Sequence, residues 1–276
     1  MTGPMPAPVR RLAIFSFHPT FFWGKRSFPK SFLYCILTFI IYPVIALAAG
    51  YLGHRAMGGG SGAPLVRFAL LVQCVLIACL VPFFSSAEGG GKPIKTAAGA
   101  LLKACGVIAA SSFIAITLSI ILGGPGPLGW AARSAAILAA FAVVLIGISA
   151  FAGRLGAGAQ VRQVAALAGA AVMLGTVFYA NPAVAAARGK AKVTVVRAAV
   201  AANPLVCVAG SALDYDIMIS RRSPVSFYHQ SLIGPDHLYR YPRWWLVSAA
   251  YLAVGLVFLA VSLVGSAKSH EVSGGS

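Results

Sequence analysis

The stretch LVRFALLVQCVLIACLVPFFS, Leu65 to Ser85, contains a single charge, Arg67, near its start. A bilayer core about 30 Å thick takes roughly 20 apolar helical residues, so this run has the length and polarity of one membrane crossing. It is not isolated. Apolar runs of similar length occupy Phe32 to Leu52, Ala100 to Leu122, Ala131 to Gly153, Gln163 to Asn181 and Trp245 to Ser266. None alternates polar with apolar residues, as barrel strands must, so the expected fold is all-α: a polytopic transmembrane helical bundle of about six spans.

The whole composition agrees. A chain of 276 residues that is 59% hydrophobic and 10% charged, with a mean hydropathy of +0.86, could not hide its apolar side chains inside one globule in water. The formal charge of +17 is spread over the ends of apolar runs. That pattern suits anionic lipid headgroups and argues against a nucleic-acid partner. Arg10 and Arg11 precede only the short patch LAIFSF with no small-residue cleavage site, so no secretory signal peptide is expected. The cysteines form no CxxC pair or metal spacing and are expected to be free, buried thiols.

Short Gly- and Pro-rich connections separate the runs: GHRAMGGGSGAP, SSAEGGGKPIKT, GGPGPLG and RLGAGAQVR. Such turns join neighbouring antiparallel helices. Pro43, inside the first run, predicts a kink. Lys and Arg cluster before the first run and beside the second and fourth connections, including Lys92, Lys95, Arg154 and Arg162. The positive-inside rule then places the N-terminus in the cytoplasm, and a bacterial inner membrane is the expected location.

Five segments follow. Residues 1–31 form a cytoplasmic basic, aromatic interfacial segment; 32–181 a five-span bundle; 182–244 a long polar and aromatic loop; 245–266 the last span; and 267–276 a tail. Within the loop, VTVVRAAVAANPLVCVAGSAL (193–213) reads as a re-entrant helix, an interfacial helix or a seventh span. The two Ala-Asn-Pro tripeptides, at Asn181 and Asn203, predict helix boundaries, because the residue before proline avoids helical geometry.

The end of that loop collects polar and aromatic residues. YRYPRWW, with Tyr239, Tyr241, Trp244 and Trp245, runs into the last span and is expected to anchor it at the water boundary, as Trp23 would at the N-terminal side. Asp214 and Asp216 would share a face if the backbone there were extended. They are expected to be solvated partners of Arg221 and Arg222, with His229 and His237 in the same tract. The preceding tract is expected to cover the mouth of the bundle.

Catalytic signatures are not found. AEGGGKP (Ala87 to Pro93) fails the phosphate-loop pattern, since Ser86 and Pro93 stand where Gly and Ser or Thr are required. No Asp, Glu or His lies centrally in a run, which disfavours a proton-coupled pump. Gln73, Ser111, Ser112, Thr117, Ser119, Ser149 and Thr176, with the many Ala and Gly residues, are expected to serve close helix packing. No enzyme activity and no cofactor are expected.

The basic N-terminal stretch RRLAIFSFHPTFFWGKRSFPK, the six runs and the segment ANPLVCVAGSAL (Ala202 to Leu213) before an aromatic loop and last helix resemble the membrane subunits of type-two ATP-binding-cassette exporters. The resemblance implies a dimeric permease driven by a separate cytoplasmic ATPase. It implies that the coupling segment falls at Ser86 to Gly99, with Glu88, Lys92 and Lys95 as candidate contacts. The competing expectation is a non-catalytic structural subunit of a larger, for example energy-converting, membrane complex, held by other membrane subunits or by a second copy.

Overall fold

A computed structural model describes residues 36, 40–45, 48, 51, 63–86, 93–121, 128–218, 228, 230–233 and 240–273. Among these residues there are helices and turns but no strand. The long helices are α1 (Ala63–Ser86), α2 (Pro93–Ile121), α3 (Leu128–Arg154), α4 (Ala159–Tyr179) and α8 (Trp244–Ser273). Between α4 and α8 lie the shorter α5 (Asn181–Ala186), α6 (Gly189–Ala202), α7 (Pro204–Cys207) and a π-helical turn (Val208–Ala212). Five of the described helices are long and apolar enough to cross a membrane, α5 extending the α4 span to Ala186. The chain is an integral membrane protein with a helical-bundle fold. The first expected span, Phe32 to Leu52, lies mostly outside the described residues.

Helix α3 is the axis of the bundle and touches α1, α2, α4 and α8. Its buried face is almost entirely apolar and includes Ile137, Leu138, Phe141 and Leu145. Contact with α8 is closest at two glycines. A methyl group on Gly147 would lie 2.8 Å from the Gly255 carbonyl oxygen, and one on Gly255 would lie 2.7 Å from the Val143 carbonyl carbon. Without a hydrophobic drive between helices inside lipid, such close backbone approach is what holds them together. Much of α4 and α8 faces outward, and their exposed Val164, Val172, Leu252 and Val257 suit a lipid surround.

Several expectations change in detail. Helix α2 begins at Pro93, so the end of the segment assigned to partner coupling is the first turns of a spanning helix. The stretch from 182 to 212 is helical for nearly its whole length, beyond the helix expected within 193–213. Residues 40 and 41 form a π turn just before Pro43, the wider winding by which a helix accommodates a proline. Tyr42 follows and donates to the Ala69 carbonyl of α1 at 3.0 Å. Cys74 and Cys207 are buried free thiols as expected, but Cys79 and Cys105 face outward. A thiol is apolar enough to sit against lipid.

Candidate functional site

Pro204 has no N–H, so α6 cannot continue through it with a full set of hydrogen bonds. The chain breaks at Asn203, and the helix that follows leaves at 87° to α6. The break lies inside the protein: Asn203, Val206, Cys207 and Val208 are fully buried. Buried backbone groups must find partners, and the carbonyls of the last turn of α6 find them on three sides. Thr176 of α4 donates to Ala199 at 3.1 Å, and Tyr251 of α8 donates to Ala201 at 3.0 Å. Cys207 donates from Sγ to Val200 at 3.2 Å.

Asn203 completes the junction. Its Oδ1 accepts from the Val206 amide at 3.0 Å, capping α7, while its Nδ2 donates to the Leu174 carbonyl at 2.5 Å. A side chain with both a donor and an acceptor closes the start of one helix and attaches it to another. Immediately afterwards the backbone widens into the π turn at Val208–Ala212, a geometry frequent at functional sites.

These contacts also decide the path of the chain. Ala199 lies opposite Thr176 and Asn203 opposite Leu174, so α6 runs antiparallel to α4, back into the bundle. After the π turn the chain returns to the end from which α6 came. Asp214 lies 3.7 Å from Arg133, near the start of α3, and the Tyr215 ring meets Phe68, near the start of α1. The two arms enter and leave at one end of the bundle, the geometry of a re-entrant hairpin over 189–213.

A second stretch inserts beside it. Tyr228 donates to the Leu174 carbonyl at 2.9 Å, Ser231 donates to the Val177 carbonyl at 2.9 Å, and the Leu232 amide donates to Asn181 Oδ1 at 3.1 Å. Ile217, Met218, Tyr228 and Ile233 are buried in the common core. The described residues of the tract before α8 thus pack against the bundle at this end, and the rest of the tract expected to cover its mouth lies outside the described residues. Both asparagines of the Ala-Asn-Pro tripeptides stand at helix starts, as expected, and both also tie this insertion in place.

The aspartates part company. Asp214 takes a left-handed backbone conformation, φ 50°, which turns the chain out of the π helix. Asp216 Oδ1 accepts from the Tyr241 hydroxyl at 2.7 Å and from the Met218 amide at 2.9 Å. The extended backbone on which a shared face depended is absent at Asp214. The Tyr241 ring also covers Gly210 so closely that a methyl group there would be 2.0 Å away, which makes it a clasp across the hairpin.

The other expected site residues separate by location. Trp244 and Trp245 are exposed at the first turn of α8 and Lys95 is exposed near the start of α2, at the opposite end of the bundle. Trp23, Glu88, Lys92, Arg221, Arg222, His229, His237 and Tyr239 lie outside the described residues. Gln73 joins α1 to α2, donating to the Ile108 carbonyl and to the Ser111 and Ser112 hydroxyls at 2.8–2.9 Å. That is the packing role expected of these polar residues. An apolar groove of about 470 Å³ runs between Ile94 and Leu101 of α2, Ile146 of α3 and Leu256 and Leu263 of α8.

Sequence reasoning gave no site role to Gly210, Cys207, Tyr228 or Tyr251. Only the Asn-Pro dipeptide pointed toward them. No protein-family model, curated protein or solved structure matches the chain.

Proposed function

We propose that the chain is a permease-like membrane subunit that moves a solute across the bilayer along the re-entrant hairpin. One observation carries this reading: helix α6 ends inside the bundle, at the fully buried Asn203. Irregular backbone at membrane depth is tolerated only where protein buries it or where it lines a path. Broken helices with ends at mid-depth are also the device by which transporters build binding sites. Among the described residues, the Ala199, Val200 and Ala201 carbonyls meet side-chain donors and one long backbone bond, from the Asn203 amide at 3.3 Å. Such bonds exchange more readily for a solute than a helical ladder does.

The energy source in this reading is a separate ATPase that docks at the end carrying Lys95, with Glu88 and Lys92 next to it in the chain. That end is assigned to the cytoplasm, and the membrane to a bacterial inner membrane. The test uses a variant retaining Cys207 as its sole cysteine, in native membranes. A membrane-permeant maleimide should react with Cys207 at a rate that changes with ATP, and an ATPase should co-purify under mild detergent. Constant reactivity together with no associated ATPase would rule the reading out.

The outward apolar faces of α4 and α8 favour one second reading, a structural subunit packed among other membrane proteins. Isolation of the native particle separates the two. Redox or pigment-bearing partners would select the structural role.

A further inference from the structure

Arg67 stands near the start of α1, in the first turn of the membrane-crossing segment Val66–Ser85. Its guanidinium carbon lies 5.0 Å from the centre of the Trp130 ring and 5.5 Å from that of Tyr215. The two rings come from different elements, the start of α3 and the turn after the π helix. Aromatic faces attract a cation but accept none of its hydrogen bonds in the ordinary sense. The guanidinium presents five N–H donors and keeps its charge at any physiological pH.

Among the described residues no hydrogen bond or ion pair reaches Arg67, and its Nε is buried without a partner. The two neighbouring acids are turned elsewhere. Asp214 faces Arg133, and Asp216 faces Tyr241 and the Met218 amide. Helices α1 and α3 both begin at this end, and neither has an acidic residue in its first turn. Their partial positive charges therefore add to the field around Arg67.

The result is a fixed, planar, charged donor set that meets no acceptor among the described residues. We propose that Arg67, held between Trp130 and Tyr215, binds an oxyanion, a phosphate or carboxylate group, at this end of the bundle. The rings fix the plane of the guanidinium, so the anion is gripped through two parallel N–H donors. The first turn of a span lies at headgroup depth, which makes a phospholipid phosphate and a free phosphate the two sources of the same chemistry. The inference does not depend on transport.

Trp130 reports the binding directly. In the full chain with Trp23, Trp244 and Trp245 changed to phenylalanine, Trp130 fluorescence is followed in neutral detergent during titration with inorganic phosphate. The same protein is then compared in phosphatidylcholine nanodiscs with and without phosphatidylglycerol. A saturable change with inorganic phosphate identifies a free-anion site, and a change confined to phosphatidylglycerol discs identifies a headgroup site. Arg67→Gln should abolish either response, and Arg67→Lys, which keeps the charge but loses the fork, should weaken it about tenfold. No saturable response from either source overturns the proposal. So does a response that Arg67→Lys leaves unchanged, which keeps the test open if Arg67→Gln does not fold.

Discussion

Asn203→Ala removes the junction of the broken helix with the smallest change of shape, and its effect can be worked out group by group. The Leu174 carbonyl keeps the Tyr228 hydroxyl at 2.9 Å, so losing Asn203 Nδ2 leaves no buried acceptor bare. The Val206 amide is different, because its side-chain acceptor is Asn203 Oδ1 at 3.0 Å. Removing a helix cap costs about 1 kcal/mol, and stranding a buried amide raises that to roughly 2–3 kcal/mol. At about 2–4 °C per kcal/mol for a domain of this order of size, the midpoint of thermal unfolding in detergent should fall by roughly 4–12 °C.

Asn203→Ser retains a capping oxygen and should lose less than half as much. Asn203→Asp retains the cap but turns a carboxylate toward the Leu174 carbonyl in a fully buried position, so it should be the worst of the three. The order Ser, Asp, Ala, or equal losses for Ser and Ala, would refute the account of Asn203 as cap and tie. The measurement is fluorescence-detected size exclusion after heating.

Other predictions follow from single contacts. Gly255→Leu puts a side chain against the Val143 backbone, which cannot move aside, and should cost about 1–3 kcal/mol or more and reduce the monodisperse yield. Gly106→Leu, on open surface, is its neutral control. Gly210→Ala must displace the Tyr241 ring and break its bond to Asp216, so its thermal shift should exceed that of Tyr241→Phe, which loses one hydrogen bond worth about 1 kcal/mol. In sealed vesicles of cysteine-free protein, Lys190→Cys and Asp214→Cys should react with an impermeant maleimide from one side, and Lys95→Cys from the other. Labelling of Lys190→Cys and Asp214→Cys from opposite sides would replace the re-entrant hairpin with a crossing.

The fold class was legible from runs such as Leu65 to Ser85, because the lipid requirement acts on every residue of a span locally: each must be apolar and helical whatever its neighbours do. Gly147 and Gly255 were legible only as members of a small-residue class, since their pairing depends on the register of two helices far apart in sequence. The end of α6 was announced by Asn203-Pro204, as a local steric matter. Its depth was not.

Whether 189–213 crosses, lies on the surface or returns depends on partners from elsewhere in the chain: Thr176, Leu174, Tyr251 and Arg133. The same holds for Arg67, which in sequence is one charge at the rim of a span and in the folded chain stands between two rings with no acceptor among the described residues. Composition alone was enough to choose lipid as the solvent and the helix as the element. Only the assembled bundle chose which carbonyls lose their ladder and which side chains replace it, because a hydrogen bond is decided by distance in space, and separation along the chain carries no record of that distance.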